Sequence, residues 1–356
     1  MITLKDIDSL YITPDKVVHA LKGISLNIEK GEIFGIMGLK GSGKTTLIRC
    51  INLLERPTHG SVIFESCNLN TMSNTELKHA RRKIGMIFQD VNLIASRTVF
   101  GNIALPLEFS KYSKAEMTTR INELLTLTHL TEYAHTYPED LNLGLKHRVA
   151  IARALAQNPS VLLCDDFTAD LDLKTTHFLL QLLYELNARL GLTLLFITHD
   201  LSLIKTFCHR VGILDQGTLS EQSTVVDFFT HPVSKRGKEF IKTATRLDMP
   251  MALRRRLRAQ PTNNTHPVLR MVLKDSSSLQ PIQNEIALET VLRLAAQNHQ
   301  VSLNILQAYV ETIQNENLKL MVIEIIGLSE NVQNAIVFLK ENHLHIEVLG
   351  HVLHAT

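Results

Sequence analysis

Gly38-Leu39-Lys40-Gly41-Ser42-Gly43-Lys44-Thr45 has the spacing G-x-x-x-x-G-K-[ST], which cradles the phosphates of a nucleoside triphosphate. Glycines at 38, 41 and 43 let backbone N–H groups turn towards an anion where a Cβ would obstruct them. Lys44 brings a point charge to the β- and γ-phosphates, and the Thr45 hydroxyl is placed to ligate Mg2+. Leu39, Lys40, Ser42 and Thr46 complete the candidate nucleotide-binding run, with Lys40 adding charge at an unconstrained position. Residues 33–37 read as a short buried strand before the loop. Residues 46–51 read as the start of a helix after it, whose positive end faces the same anion. A chance glycine-rich turn would not come with both flanks.

About 120 residues further on, the apolar strand 161–164 ends in Asp165 and Asp166. A strand tip beside the phosphate loop is where Mg2+ needs an acidic partner, so Asp165 joins Thr45 as a metal-side candidate. Asp166 would face the γ-phosphate and orient or deprotonate a water. A further buried strand, 194–197, leads to Thr198-His199-Asp200; a lone histidine is usually structural, but at a strand tip in this order His199 is a candidate γ-phosphate sensor. Gln89, after residues 85–88, has an amide able to hold a metal-bound water and is therefore both a catalytic and a metal candidate. The readings predict two bound species, ATP and Mg2+.

These residues need an α/β frame. Residues 1–231 alternate short apolar strands with helical stretches. Strands are expected at 161–164, 194–197 and 210–214, a hairpin turn at Asp215-Gln216-Gly217, and helices at 75–82 and 114–126. Residues 232–266 gather Pro232, Pro250 and Pro261 with the basic run Arg254-Arg255-Arg256-Leu257-Arg258, and read as a part-helical connector whose charges are solvated. From 267 to 356 the order is strand 268–273, helix 284–297, strands 302–310 and 318–326, helix 331–341 and strand 346–349. That is β-α-β-β-α-β, a ferredoxin-like α+β domain.

The 356 residues suit two or three domains, and the 45% hydrophobic and 20% charged composition is ordinary for a globular chain. A net charge of +2 gives no argument for nucleic acid as a partner. No apolar run reaches transmembrane length and no signal-peptide pattern opens the chain, so a cytoplasmic location is expected. Cys50, Cys67, Cys164 and Cys208 lie far apart and read as reduced thiols. The pairs His343/His345 and His351/His354 read as solvated.

The phosphate loop, the Asp165-Asp166 strand and His199, in this order, resemble the ATP-binding-cassette ATPases over residues 1 to about 230. The match is closer to the ATPase subunits of bacterial methionine importers, through residues 51–58, 80–89 and 96–102. The C-terminal domain resembles the small ligand-sensing domain that those subunits append. The resemblance gives Tyr11 the place of the aromatic that stacks on adenine and Gln89 that of the Q-loop glutamine. It makes His199 the switch histidine and Ala169-Asp170-Leu171-Asp172 the D-loop. It implies a homodimer on the cytoplasmic face of the inner membrane, docked peripherally on a two-copy permease. The permease would be supplied by an extracytoplasmic binding protein, and methionine would bind the C-terminal domain.

The family signature L-S-G-G-Q is altered here to Leu141-Asn142-Leu143-Gly144-Leu145. In these ATPases the signature of one subunit closes on the γ-phosphate held by the other, so Asn142 and Gly144 are further nucleotide-side candidates. Asn142 keeps a hydrogen-bonding side chain. Leu143 adds bulk where glycine allows close approach, and Leu145 removes a polar contact. Asp166 stands where the family has glutamate and withdraws its carboxylate by about 1 Å, a misplacement worth up to ~10²-fold in rate. The leading expectation is an energy-coupling ATPase subunit. The alternative is an ATP-binding, hydrolysis-poor regulatory subunit.

Overall fold

The computed structural model describes residues 1–12, 16–110, 112–249, 251–261, 265–274, 288–314, 316–342 and 344–353. The chain forms two compact units, Met1–Ser223 and Thr224–Thr356.

The first unit is built on two sheets. In the antiparallel one, β1 (Ile2–Ile12) pairs with β2 (Val17–Ile28) and β4 (His59–Phe64), and the short β5 (Cys67–Asn68) closes the edge. The other holds β3 (Ile33–Met37), β6 (Ile84–Ile87), β7 (Val161–Asp165), β8 (Thr193–Thr198), β9 (Arg210–Asp215) and β10 (Thr218–Thr224), in the order β10-β9-β3-β8-β7-β6. Strands β3, β6, β7, β8 and β9 run parallel. Their uninterrupted apolar runs follow from burial on both faces. β3, β7 and β8 are buried along their whole length. The expected turn joins β9 to β10, with positive φ at both Gln216 and Gly217, as a two-residue hairpin of this hand requires.

Helix α1 (Lys44–Ile51) follows β3 directly, and Leu47, Ile48 and Ile51 pin it to the core. Helices α2 (Asn74–Arg82) and α4 (Lys114–Leu127) each open on a reciprocal Ser/Glu capping box, Ser73 with Glu76 and Ser113 with Glu116. With α3 (Val99–Glu108) and α5 (Leu143–Leu155), α4 forms the helical part of the unit. α6 (Leu173–Leu190) starts on Asp172 and stops at Gly191, which is left-handed. α7 (Leu201–Phe207) is capped by Asp200.

The second unit opens with α8 (Val225–Thr230), α9 (Lys235–Asp248) and α10 (Met251–Arg256). The β-α-β-β-α-β order then runs β11 (Thr265–Lys274), α11 (Leu288–His299), β12 (Ser302–Ile313), β13 (Glu316–Ile326), α12 (Ser329–Glu341) and β14 (His345–Leu353). The sheet order β12-β13-β11-β14, antiparallel throughout, is the ferredoxin-like one. Leu269 and Met271 of β11 pack with Val291, Ala295, Ala335 and Leu339 of the two long helices. On the opposite face, Val268, Val322, Leu349 and Val352 pack with Met249, Leu253 and Leu257. The stretch expected as a connector therefore supplies a second layer, and this unit starts earlier in the chain than the sequence suggests. Residues 284–287 of the helix expected from 284, together with His343 and His354, lie outside the described residues.

The expectation of solvated histidines is corrected at His345. Its ring meets His231 at a centroid distance of 4.5 Å, and it is only partly exposed because α8 ends against β14 there. His351 is part of the ladder, exchanging backbone bonds of 2.8 Å with Arg258.

Candidate nucleotide site

The site is the C-terminal edge of the parallel sheet, where the loop after β3, the end of β7 and the end of β8 line one cleft of about 900 Å3, a size that accommodates a small molecule. Tyr11, Leu39, Lys40, Gly41, Gly43, Lys44, Thr45, Thr46, Gln89, Asp165, Asp166 and His199 all line it.

The loop has the shape an anion requires. Gly41 and Gly43 have φ of +82° and +105°, in the region that favours glycine. A Cβ on Gly38 would meet the Leu214 carbonyl oxygen at 2.4 Å, and one on Gly43 the Ala20 carbonyl oxygen at 2.5 Å. α1 begins at Gly43 with no side-chain cap, so the first-turn N–H groups have no side-chain acceptor supplied by the N-cap. Ser42 Oγ is buried without a hydrogen-bond partner. Lys44 Nζ donates to the carbonyls of Gly38 and Leu39 at 2.7 and 2.9 Å, which holds the ammonium back over the loop. Burial lowers the Lys44 pKa, against the pull of Asp166 and Asp165. Uncapped N–H groups, a partly buried cation and an orphaned hydroxyl suit a polyphosphate.

Asp165 is buried at the end of β7, and burial together with Asp166 raises its pKa, while Arg49 and Lys44 oppose the rise. Two carboxylates side by side under such a load suit a divalent cation. Asp166 has φ of +42°, a region Asp and Asn tolerate better than most residues, and its N–H donates to Ile197 O at 2.8 Å. That turn aims the carboxylate at His199, whose Nδ1 lies 3.1 and 3.0 Å from Asp166 Oδ1 and Oδ2. The Tyr11 hydroxyl is tethered to Thr46 Oγ1 at 3.2 Å and donates to Glu55. Glu55 also accepts from Arg49 at 2.8 Å.

Asn142 and Gly144 are not among the described residues that line the cleft. Asn142 is the N-cap of α5, accepting from Leu145 N at 2.9 Å. Leu145 is buried, whereas Leu143 stays exposed. A Cβ on Gly144 would come within 2.7 Å of Thr175 Cγ2, and Thr175 in turn donates its hydroxyl to Asp172 at 2.6 Å. Gly144, Thr175 and Asp172 of one chain are therefore packed together.

The sequence reading missed one wall of the cleft. Val18, His19, Ala20 and Lys22 of β2 line it, with Gln216 and Gly217 of the hairpin turn. His19 Nε2 is 2.7 Å from Asp8 Oδ1. Tyr11 and Val18 face each other across the β1–β2 ladder, and only that register brings this wall together.

Fold and site together define an ATP-binding cassette with an appended α+β domain. Residues 21–169 match the model described as ABC transporter, and residues 281–348 match the NIL domain. The methionine import ATP-binding protein MetN of Chromohalobacter salexigens is 44% identical over 99% of both chains. That of Escherichia coli strain K12 is 43% identical over 99% of this chain and 100% of its own. A dimeric ATP-binding cassette in a post-hydrolysis state, bound to ADP and phosphate, superposes with a TM-score of 0.59 at 38% identity, covering 63% of this chain and 99% of that one. A Clostridium perfringens protein that is part of an ABC transporter complex gives 0.60 at 28% identity, covering 70% and 96%. The chain belongs to the family of methionine import ATP-binding proteins. This membership favours the energy-coupling reading over the hydrolysis-poor one. No helix among the described residues is long and apolar enough to cross a membrane.

Proposed function

We propose that this chain is the ATP-hydrolysing, energy-coupling subunit of a methionine importer, working as a homodimer on the cytoplasmic face of a two-copy membrane permease fed by an extracytoplasmic binding protein. The observation that carries it is the convergence of Lys44, Asp165, Asp166 and His199 on one cleft, within a chain similar over its full length to methionine import ATP-binding proteins. In this reading Gly38–Thr46 hold the triphosphate and Tyr11 stacks on adenine. Thr45, Gln89 and Asp165 hold Mg2+, which supplies charge neutralisation at the phosphates. Asp166 orients the attacking water, and His199, already hydrogen-bonded to it, contacts the γ-phosphate side. Asn142 and Gly144 act on the nucleotide of the partner subunit, consistent with their absence from this chain's own cleft. Methionine binds the C-terminal unit and restrains transport.

The test is phosphate release by the chain reconstituted with its permease in proteoliposomes, with and without binding protein and methionine. Turnover no faster than that of Asp166→Asn would end the motor reading. Calorimetric titration of the full chain with methionine checks the regulatory part separately.

A further inference from the structure

The loop that carries Gln89 is not free to follow the sheet alone. It leaves β6, whose Gly85 lets the Ala154 carbonyl of α5 approach so closely that a Cβ there would be 2.8 Å from it. The neighbouring Arg153, in the last turn of α5, turns its guanidinium inward and donates from Nη2 to Val91 O at 3.0 Å and from Nη1 to Asn92 O at 2.9 Å. Two parallel donors in a rigid fork fix the direction of both carbonyls, which a lysine cannot do. Asn92 has φ of +46°, turning its carbonyl to where the fork can reach it. Further along, the fully buried Asn102 of α3 accepts from Ile94 N at 2.8 Å and donates to the carbonyls of Ile94, Arg97 and Thr98. At its other end α5 begins on Asn142, with Gly144 packed on Thr175.

We propose that Arg153 is a positioning residue for Gln89: its fork fastens the loop after Gln89 to α5, so that Gln89 and the 142–144 turn move as one body. This rests on the reading that Gln89 attends the nucleotide and metal. The phosphate loop has its own supports, so Arg153 governs turnover and leaves nucleotide affinity alone.

The test compares full-length wild type with Arg153→Lys, Arg153→Met, Gln89→Ala and the Arg153→Lys/Gln89→Ala double variant. Backbone hydrogen exchange is read over residues 90–98 and 143–155, with and without Mg-ATP, alongside kcat and KM for ATP. Arg153→Lys should speed exchange at 91–94 by about tenfold without altering 143–155. It should also lower kcat by roughly ten- to a hundredfold at unchanged KM. The double variant should lose no more than Gln89→Ala alone, the signature of two residues acting through one another. Unchanged exchange at 91–94, a raised KM at constant kcat, or fully additive losses would overturn the proposal. If Arg153→Met does not fold, Arg153→Lys still decides. A wild type that hydrolyses no ATP removes the hydrolytic reading, while the exchange comparison still accepts or rejects the fastening of the loop.

Discussion

His199 Nδ1 lies 3.0 Å from Asp166 Oδ2, so the residues that follow β8 and β7 are joined within the cleft that the phosphate loop also lines. The contact aligns the carboxylate from one side while the backbone turn at Asp166 aligns it from the other. Both groups are held by strand ends, which are stiffer platforms than loops.

Asp166→Asn keeps the left-handed backbone and the contact to His199 but removes the charge. Turnover in proteoliposomes should fall to background, with ATP binding retained. Asp166→Glu returns the missing methylene and should raise turnover, by no more than the ~10²-fold that a displacement of about 1 Å costs. Phosphate release measured at saturating ATP decides, and an Asp166→Asn rate equal to wild type would remove Asp166 from the chemistry.

Leu143 is 40% exposed at the first position of α5, so its bulk contributes little to this chain's own core. Leu143→Gly should therefore raise kcat, because it readmits a partner surface, while costing less than the roughly 1 kcal/mol of a glycine in a helix interior, since 143 is the first helical position. The opposed signs are the diagnostic: faster hydrolysis with a slightly lower thermal midpoint. Equal or slower hydrolysis would show that the side chain does not obstruct closure.

Gly144→Ala places a methyl 2.7 Å from Thr175 Cγ2 and should destabilise the first unit by about 1–3 kcal/mol. Thr175→Ser removes that carbon and keeps the hydroxyl bond to Asp172, so it should restore most of the loss. Thermal unfolding of the single and double variants measures the coupling.

Burial, followed by His231, Arg270, Lys238 and Lys340, lowers the His345 pKa from the ordinary 6.5 to about 4. The unfolded chain thus takes up the proton first. Stability from neutral His345 is complete above pH 6.5 and is lost as pH falls from there towards 4. Melting of the full chain should show the second unit weakening across that window, and His345→Gln should flatten the dependence. A pH profile unmoved by the substitution would assign the acid sensitivity to other groups.

The phosphate loop and both strand tips were legible because their letters are contiguous and each follows an apolar run. His19 and Lys22 were not, since they reach the cleft through the pairing of β1 with β2, and register is a property of two strands rather than one. Leu145 read as a lost polar contact, whereas in the fold it is a core residue of α5. Arg153 lies within a helical pattern that says nothing of which way a long side chain turns. The stretch 232–266 was legible as part helical through α9 and α10, but its packing against the sheet was not, because prolines and arginines say nothing of a partner face. Arg254 donates to Met249 O and Arg256 to Leu353 O, so part of the basic run is tied to backbone carbonyls. The ferredoxin-like order survived because alternation and helical spacing are local.

A helix that begins on Gly43 without a side-chain cap gains acceptors from whatever anion it holds, so bound nucleotide should stabilise the folded chain. Loss of ATP should remove that stabilisation, and the fraction of molecules open to proteases should rise by mass action. Resistance to digestion should thus follow the concentration of ATP, and the abundance of the chain in a starved cell would fall with its fuel.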